Sequence, residues 1–524
     1  MSSLSGNLAV PIAWRRGWVT ATSASGVAAI GVGFLALIAF FLYFDARHLG
    51  FDDAYITYRY AANLADGRGF VFNPASAPVL GTSTPLYTAL LAVGGMLGAD
   101  IPLLSMAIGA LATALTMSMI VLIAGRLGYL GAGVAAALTY CTSQFAWAYV
   151  EGMETPVYSA LIVAALLAYV RGRSGWAMSI AALAVVTRMD GMALVAALGI
   201  ALLASRRLRV RDLLPCAGIL LGWLVASTLL FGSPIPASGF AKMLHETQIA
   251  GRYGVSSPFF IYLLMPITAT IDGLRPALWA PVGDRHVANA IVLAGFAAII
   301  AGIWRVAAIR PAVLWLAMYC IGFLALGMPD FSWYHGPSAI VASLLLWIAL
   351  QRGLDFAMRI IDRRNALESR PDATLNAPYG ASIVLITAGI MATIVLGGVG
   401  AFRAQRDAEF RPYRAAGEWL AAHRVPGDSV VAFEIGTIAY FSDMPTIDIL
   451  GLTEPRAWSH LQKQDYAWAI REDRPTYVFT TVEAGSWPIT QGIFADPTFT
   501  KDYELVARFP LRSWLDYGIY RRLG

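Results

Sequence analysis

Asp52 and Asp53 stand side by side in Phe51-Asp52-Asp53-Ala54-Tyr55-Ile56-Thr57-Tyr58-Arg59-Tyr60, directly after the first hydrophobic run of this 524-residue chain. Adjacent carboxylates at a membrane surface are costly, and ionisable groups there are functional candidates by default. Other such groups are Glu151 and Glu154 in Glu151-Gly152-Met153-Glu154-Thr155-Pro156, and Arg188 and Asp190 in Arg188-Met189-Asp190-Gly191. Lys242 and Arg252 lie in a Pro- and Gly-rich stretch from 231 to 286, and His335 follows Trp333 and Tyr334. A carboxylate in a partly dehydrated pocket can accept a proton, whereas Arg offers an anion a planar fork and Lys a point charge. Each has a structural alternative. Asp52, Asp53 or Glu154 would cap the helix that follows it, Arg188 and Asp190 would form a buried ion pair, and Lys242 would snorkel to the surface. His335 would be an ordinary interfacial histidine.

The elements that must position these groups are helices in a membrane. Hydrophobic residues make up 58% of the chain and charged residues 14%, and the mean hydropathy is +0.61. That composition excludes a soluble protein of this length. The net charge of +5 resides in clusters at the ends of apolar runs, as the positive-inside rule expects, and not in a nucleic-acid-binding face. Cys141, Cys216 and Cys320 lie in apolar stretches without a C-x-x-C, so neither a disulfide framework nor a zinc site is indicated. Arg15 and Arg16 precede an apolar run from 26 to 44, which reads as a retained signal-anchor with its N-terminus in the cytoplasm.

Further apolar runs at 84–98, 102–124, 129–149, 155–170, 175–188, 191–205, 213–231, 287–304, 311–327, 338–351 and 381–400 predict a polytopic α-helical membrane protein with about eleven transmembrane helices. Basic gaps at 171–173, 206–211 and 352–370 are expected inside. The Asp pair, Glu154, Asp190 and the segment ending at His335 are then outside, provided that one run between 84 and 149 fails to cross. The run after Pro85 is the expected half-span. From Arg403 the composition becomes that of a soluble domain, so the division is 1–402, with an external loop at 45–84, and 403–524. A helix over 413–423 and another around 463–471, with strands at 429–434, 446–450, 476–480, 503–510 and 517–521, predict a small α/β domain outside the membrane.

The segment from Phe51 to Pro74, followed by Gly81-Thr82-Ser83-Thr84-Pro85-Leu86-Tyr87, resembles the first external loop of the GT-C glycosyltransferases, most of all their bacterial arabinofuranosyltransferase-like branch. Glu434-Ile435-Gly436-Thr437-Ile438-Ala439-Tyr440-Phe441 and Ile447-Asp448-Ile449-Leu450-Gly451-Leu452-Thr453 resemble the external C-terminal domain of the same branch. The resemblance implies an inverting enzyme in the plasma membrane. It would transfer a sugar, arabinofuranose by this branch, from a polyprenyl-phosphate donor to a cell-envelope glycan or protein on the outer side.

The resemblance also assigns roles. Asp52 is the general base, Asp53 orients substrate or a metal, and Glu154 comes from a second acidic motif that shares the site. A divalent cation, Mg or Mn, would sit on Asp53 and Glu154. By residue type and position rather than by resemblance, Tyr55, Arg188 and Asp190 are candidate substrate contacts and Arg59, Lys242, Arg252 and His335 are candidates for the donor phosphate. Lys242 follows the proline turn Ser233-Pro234-Ile235-Pro236 as in the family, but Ala237-Ser238-Gly239 stands where an Asn-Thr-like pair is expected. A transporter or lipid-linked-sugar flippase is the competing class, and it should show internal repeats and midplane charges. The chain has no evident repeat, and its acidic residues gather at one face.

Overall fold

The computed structural model describes residues 12–43, 51–74, 76–142, 152–248, 302–326, 332–365, 412–485, 487–512 and 515–524. Glu151, Arg252, the expected span at 381–400 and most of that at 287–304 lie outside these residues. The helical part consists of α1 (Ile12–Tyr43), α2 (Asp52–Ala65), α3 (Pro85–Met96), α4 (Ile101–Arg126), α5 (Leu130–Thr142), α6 (Thr155–Val170), α7 (Ser174–Thr187), α8 (Met192–Ala204), α9 (Val210–Phe231), α10 (Ala237–Gln248), α11 (Arg310–Leu326) and α12 (His335–Asn365).

Among the described residues, Ala24–Phe41, Ile101–Arg126, Val210–Phe231 and His335–Ile360 are long and apolar enough to cross a bilayer. The other apolar helices are shorter. With 12 residues in α3 and 13 in α8, they reach about 18 to 20 Å, less than the roughly 30 Å of hydrocarbon. The expected half-span after Pro85 is therefore one short helix of several, and length does not set it apart. α12 runs to Asn365, well past the expected end of its span at 351, and its basic continuation is anchored by Arg352 donating to Tyr129 at 2.7 Å.

α4 shows how local chemistry delimits a span. Asp100 accepts the Leu103 N–H at 2.9 Å, Pro102 occupies the first turn where no intrahelical donor is needed, and Arg126 faces the negative end of the helix. Its neighbours approach closely through small residues. Ser118 donates to Ala29 O of α1 at 2.8 Å, and Gly133 of α5 packs on Ala124 and Val121. α6 runs from Glu154 at one end to Arg171 at the other, where Arg207 donates to Tyr169 O at 3.2 Å. Acidic and basic termini thus separate along one helix, as alternation of the spans requires.

The C-terminal part is a sheet in the order β2-β1-β3-β5-β4, formed by β1 (Val430–Ala432), β2 (Thr446–Asp448), β3 (Tyr477–Thr481), β4 (Tyr503–Arg512) and β5 (Leu515–Arg522). β1 is parallel to β2 and β3, and β5 is antiparallel to β3 and β4. All five expected strands are present, and the expected helix at 413–423 spans 412–423. The expected helix around 463–471 is instead two short ones, Ala457–Leu461 and Trp468–Glu472. Between them the Asp465 N–H donates to His460 O at 2.9 Å, and its carboxylate takes up Arg471 and the His460 ring. Local side-chain bonding of this kind competes with helix continuation.

The two parts are docked through α2. Arg59 is buried, donates to Phe72 O at 3.2 Å and pairs with Asp443. Asn73 exchanges two hydrogen bonds with the Thr446 backbone, at 2.8 and 3.0 Å. Tyr55 and Tyr58 meet Tyr440 edge to face. Ile56, Tyr60 and Phe72 belong to the same apolar core as Val431, Trp468 and Phe479, so the helix that carries the Asp pair is covered by the C-terminal sheet domain.

Candidate active site

The carboxylates of Asp52 and Asp53 point to different places because neighbouring helical residues are about 100° apart. Asp52 is buried, and both its oxygens are taken: Oδ2 accepts the Gly436 N–H at 3.0 Å and Oδ1 the Thr437 N–H at 2.8 Å. Burial raises its pKa to about 6, against the lowering effect of the Thr437 and Gly436 hydrogen bonds. Glu434 is close by, and burial, with Asp52 and Asp53 adding repulsion, holds its carboxyl well above the usual range. Asp53 instead lines a cavity of about 570 Å³. Its Oδ2 is 3.3 Å from Lys242 Nζ.

That cavity collects the ends of several helices. From the Gly152 turn comes Glu154, and from the α7–α8 junction come Arg188 and Asp190. Gly152 has φ +100°, and a β-carbon there would lie 2.1 Å from the Tyr58 hydroxyl, so only glycine lets this turn reach α2. Arg188 donates to Glu154 Oε1 at 3.0 Å and forks onto Asp190 at 3.2 and 3.0 Å. Its guanidinium also sits 5.1 Å from the ring centroids of both Tyr158 and Tyr334. With two carboxylates and two aromatic faces it is fully engaged, and the ion-pair alternative describes its geometry. The Lys242 ammonium lies 5.2 Å from the Trp333 ring centroid and has the Asp53 carboxylate as its acidic partner.

A hydroxyl-rich wall lies at the start of α3. Thr57, Thr82 and Thr84 share hydrogen bonds of 3.1 to 3.4 Å, and with Gly81 and Ser83 they line the cavity. α10 begins beside this wall, its Ala237 N–H donating to Leu80 O at 2.8 Å. Ser238, in the first turn of α10, is buried against the cavity, and its Oγ has no hydrogen-bond partner among the described residues. Met153, Met189, Met192, Met318, Phe323 and Leu326 contribute apolar lining. The cavity therefore offers a soft apolar surface beside hydroxyls, N-terminal helix turns and an ammonium.

The structure thus brings together Asp53, Glu154, Arg188, Asp190 and Lys242. It does not bring Asp52, Tyr55 or Arg59 to the cavity, since all three are spent on the C-terminal domain. His335 is buried at the start of α12 but does not line the cavity, whereas its neighbours Trp333 and Tyr334 do. Asp53 and Glu154, considered for a divalent cation, each face a protein cation, and among the described residues no three His, Cys, Asp or Glu side chains gather as a metal site. Tyr158 was not singled out because its local sequence is that of an ordinary core helix, and Ser238 and Leu452 lie in segments noted in the sequence but given no role there.

Residues 401–521 match a family described as a domain of unknown function, DUF8728. No curated protein matches the chain. Among solved structures the chain is similar to ArnT from Cupriavidus metallidurans bound to undecaprenyl phosphate, with 16% identity, 96% of this chain and 98% of that chain covered, and a TM-score of 0.59. It is also similar to the oligosaccharyltransferase of Archaeoglobus fulgidus in its apo form, with 14% identity, 95% and 74% coverage and a TM-score of 0.53. The same oligosaccharyltransferase in complex with Zn and sulfate is 14% identical over 86% of this chain and 68% of that one, at a TM-score of 0.52. The chain shares the fold of these structures, a polytopic helical membrane fold, here with a small C-terminal sheet domain.

Proposed function

We propose that this chain is a membrane glycosyltransferase that moves a sugar, arabinofuranose by the resemblance of its first loop, from a polyprenyl-phosphate donor to a hydroxyl of a cell-envelope glycan or protein. The site and the sheet domain face outward from the plasma membrane. The observation that best supports this reading is the Asp53–Lys242 pair at 3.3 Å in the wall of an otherwise largely apolar cavity. The geometry favours Asp53 over Asp52 as the base, because both Asp52 oxygens are occupied by backbone donors. Asp53 takes the proton of the acceptor hydroxyl as its oxygen bonds to the anomeric carbon. On the opposite side the bond from that carbon to the phosphate oxygen breaks, and the lipid phosphate leaves with the electron pair, inverting the centre.

Charge gathers on the leaving phosphate, where preorganised donors contribute most. Lys242, the α3 N-terminus with Ser83 and Thr84, and the Ser238 hydroxyl supply such donors. Glu154, Arg188 and Asp190 form a rigid wall whose remaining carboxylate lone pairs suit sugar hydroxyls. The Met-rich side takes the first isoprene units. The test is incubation of the purified protein in lipid nanodiscs with synthetic polyprenyl-phosphate sugars and a glycan acceptor. Release of polyprenyl phosphate is expected with one donor and not with the others. Transbilayer movement of intact lipid-linked sugar, with no release from any donor, would replace this reading with the flippase.

A further inference from the structure

The sheet domain, whose family description carries no function, touches both helices that bear the Asp53–Lys242 pair. On the Asp53 side, Gly436 and Thr437 donate to the carboxylate of Asp52, the residue next in the chain, at 3.0 and 2.8 Å. The approach is so close that a β-carbon on Gly436 would lie 1.8 Å from the Asp52 carbonyl oxygen, and backbone cannot yield that much. On the Lys242 side, the Phe240 ring lies 4.5 Å from Trp458, and Ala241 is fully buried in the sheet domain's apolar core.

Trp458 is fixed in turn. Its indole N–H donates to Gly451 O at 2.9 Å, and the loop around Gly451 is gathered by the buried Asp448 carboxylate. That group accepts the N–H of Leu450 at 2.9 Å, of Gly451 at 3.1 Å and of Thr453 at 2.7 Å. The same loop carries Leu452 into the cavity wall.

We propose that the sheet domain is a working part of the site. Through Gly436 and Trp458, two positioning residues that do not line the cavity, it sets the spacing between Asp53 and Lys242. The proposal rests on reading that pair as the base and the phosphate contact. An appended module with its own separate role would need neither the glycine at 436 nor an aromatic ring against α10. Placing a reacting group even 1 Å away from its working position costs on the order of 10²-fold in rate.

The test uses the full chain and two readouts. In a cysteine-free background, an Asp53→Cys/Lys242→Cys pair is cross-linked with a short bismaleimide, with and without Gly436→Ala or Trp458→Ala. Cross-linking is expected to fall several-fold with either substitution and to return with Trp458→Phe, which keeps a ring against Phe240. In the otherwise native enzyme, Trp458→Ala is expected to lower kcat by roughly 10- to 100-fold and to raise the donor KM, with Trp458→Phe recovering most of both. Unchanged cross-linking in folded Gly436→Ala and Trp458→Ala proteins overturns the positioning role whatever the activity. Lost cross-linking in a protein that transfers no sugar from any donor sustains the positioning role and removes only the glycosyltransferase reading.

Discussion

At the residue scale the decisive contrast is between two adjacent aspartates. Asp53→Asn keeps size and polarity but cannot accept the acceptor's proton, so transfer is expected to fall by about 10² to 10⁴-fold in an assay of released polyprenyl phosphate, with the protein still folded. Asp52→Asn should act differently. Its amide oxygen still accepts one backbone N–H while its NH₂ confronts the other, so the expected damage is to domain docking and, through it, to kcat.

The pH dependence separates the two aspartates further. Asp52 titrates near 6 when docked, against an ordinary 3.8, because burial disfavours its charge. The docked state therefore binds a proton that the undocked state does not, and stability from this group is complete below about 4 and is lost as pH rises through 6. Asp443, held low by Arg59, Arg68 and Arg424 in spite of partial burial, has its window below 3.8 and does not interfere. Wild type should accordingly gain thermal stability over Asp52→Asn as pH falls from 6 to 4, and a constant difference across that range would contradict the docked geometry.

At the scale of elements, α10 carries Lys242, the proposed phosphate contact, and the residues just before α3, Thr82 to Thr84, line the same cavity. Lys242→Ala removes a charge-assisted hydrogen bond worth about 1.5 to 3 kcal/mol, which corresponds to a rise in donor KM of roughly 10- to 100-fold. Acceptor KM should be much less affected. Arg188→Ala should behave as a structural lesion instead. It leaves Glu154 without its cation and Asp190 without its fork, so thermal stability and expression are expected to drop together with activity. A stable Arg188→Ala protein with only donor KM altered would instead make Arg188 a contact to the donor.

At the scale of the whole molecule, the site requires the Asp pair, Glu154 and the sheet domain on one side of the membrane, with Arg171 and Arg207 at the opposite end of α6. A thiol placed at Ser429 is expected to react with an impermeant reagent on intact cells, and one at Arg207 only after permeabilisation. The reverse pattern would invert the topology and remove the outward-facing enzyme. The sheet domain shares one apolar core with Ile56, Tyr60 and Phe72, so the molecule behaves as one docked unit at the site.

Composition alone determined that this chain is a membrane protein, because a run of apolar residues has only lipid or other such runs to bury against. The strands of the sheet domain were equally legible, since short β-branched and aromatic runs bounded by turn residues carry their own signal, and so was the importance of the Phe51–Tyr60 motif. What local sequence could not decide was direction. Arg59 reads as a phosphate ligand in its own loop, yet its partner is Asp443, 384 positions away. Asp52 leads the motif, yet a backbone N–H pair from Gly436 and Thr437 claims it and leaves the cavity to Asp53. A carboxylate's role follows from which donors surround it after docking, and those donors come from parts of the chain whose own sequence says nothing about where they will lie.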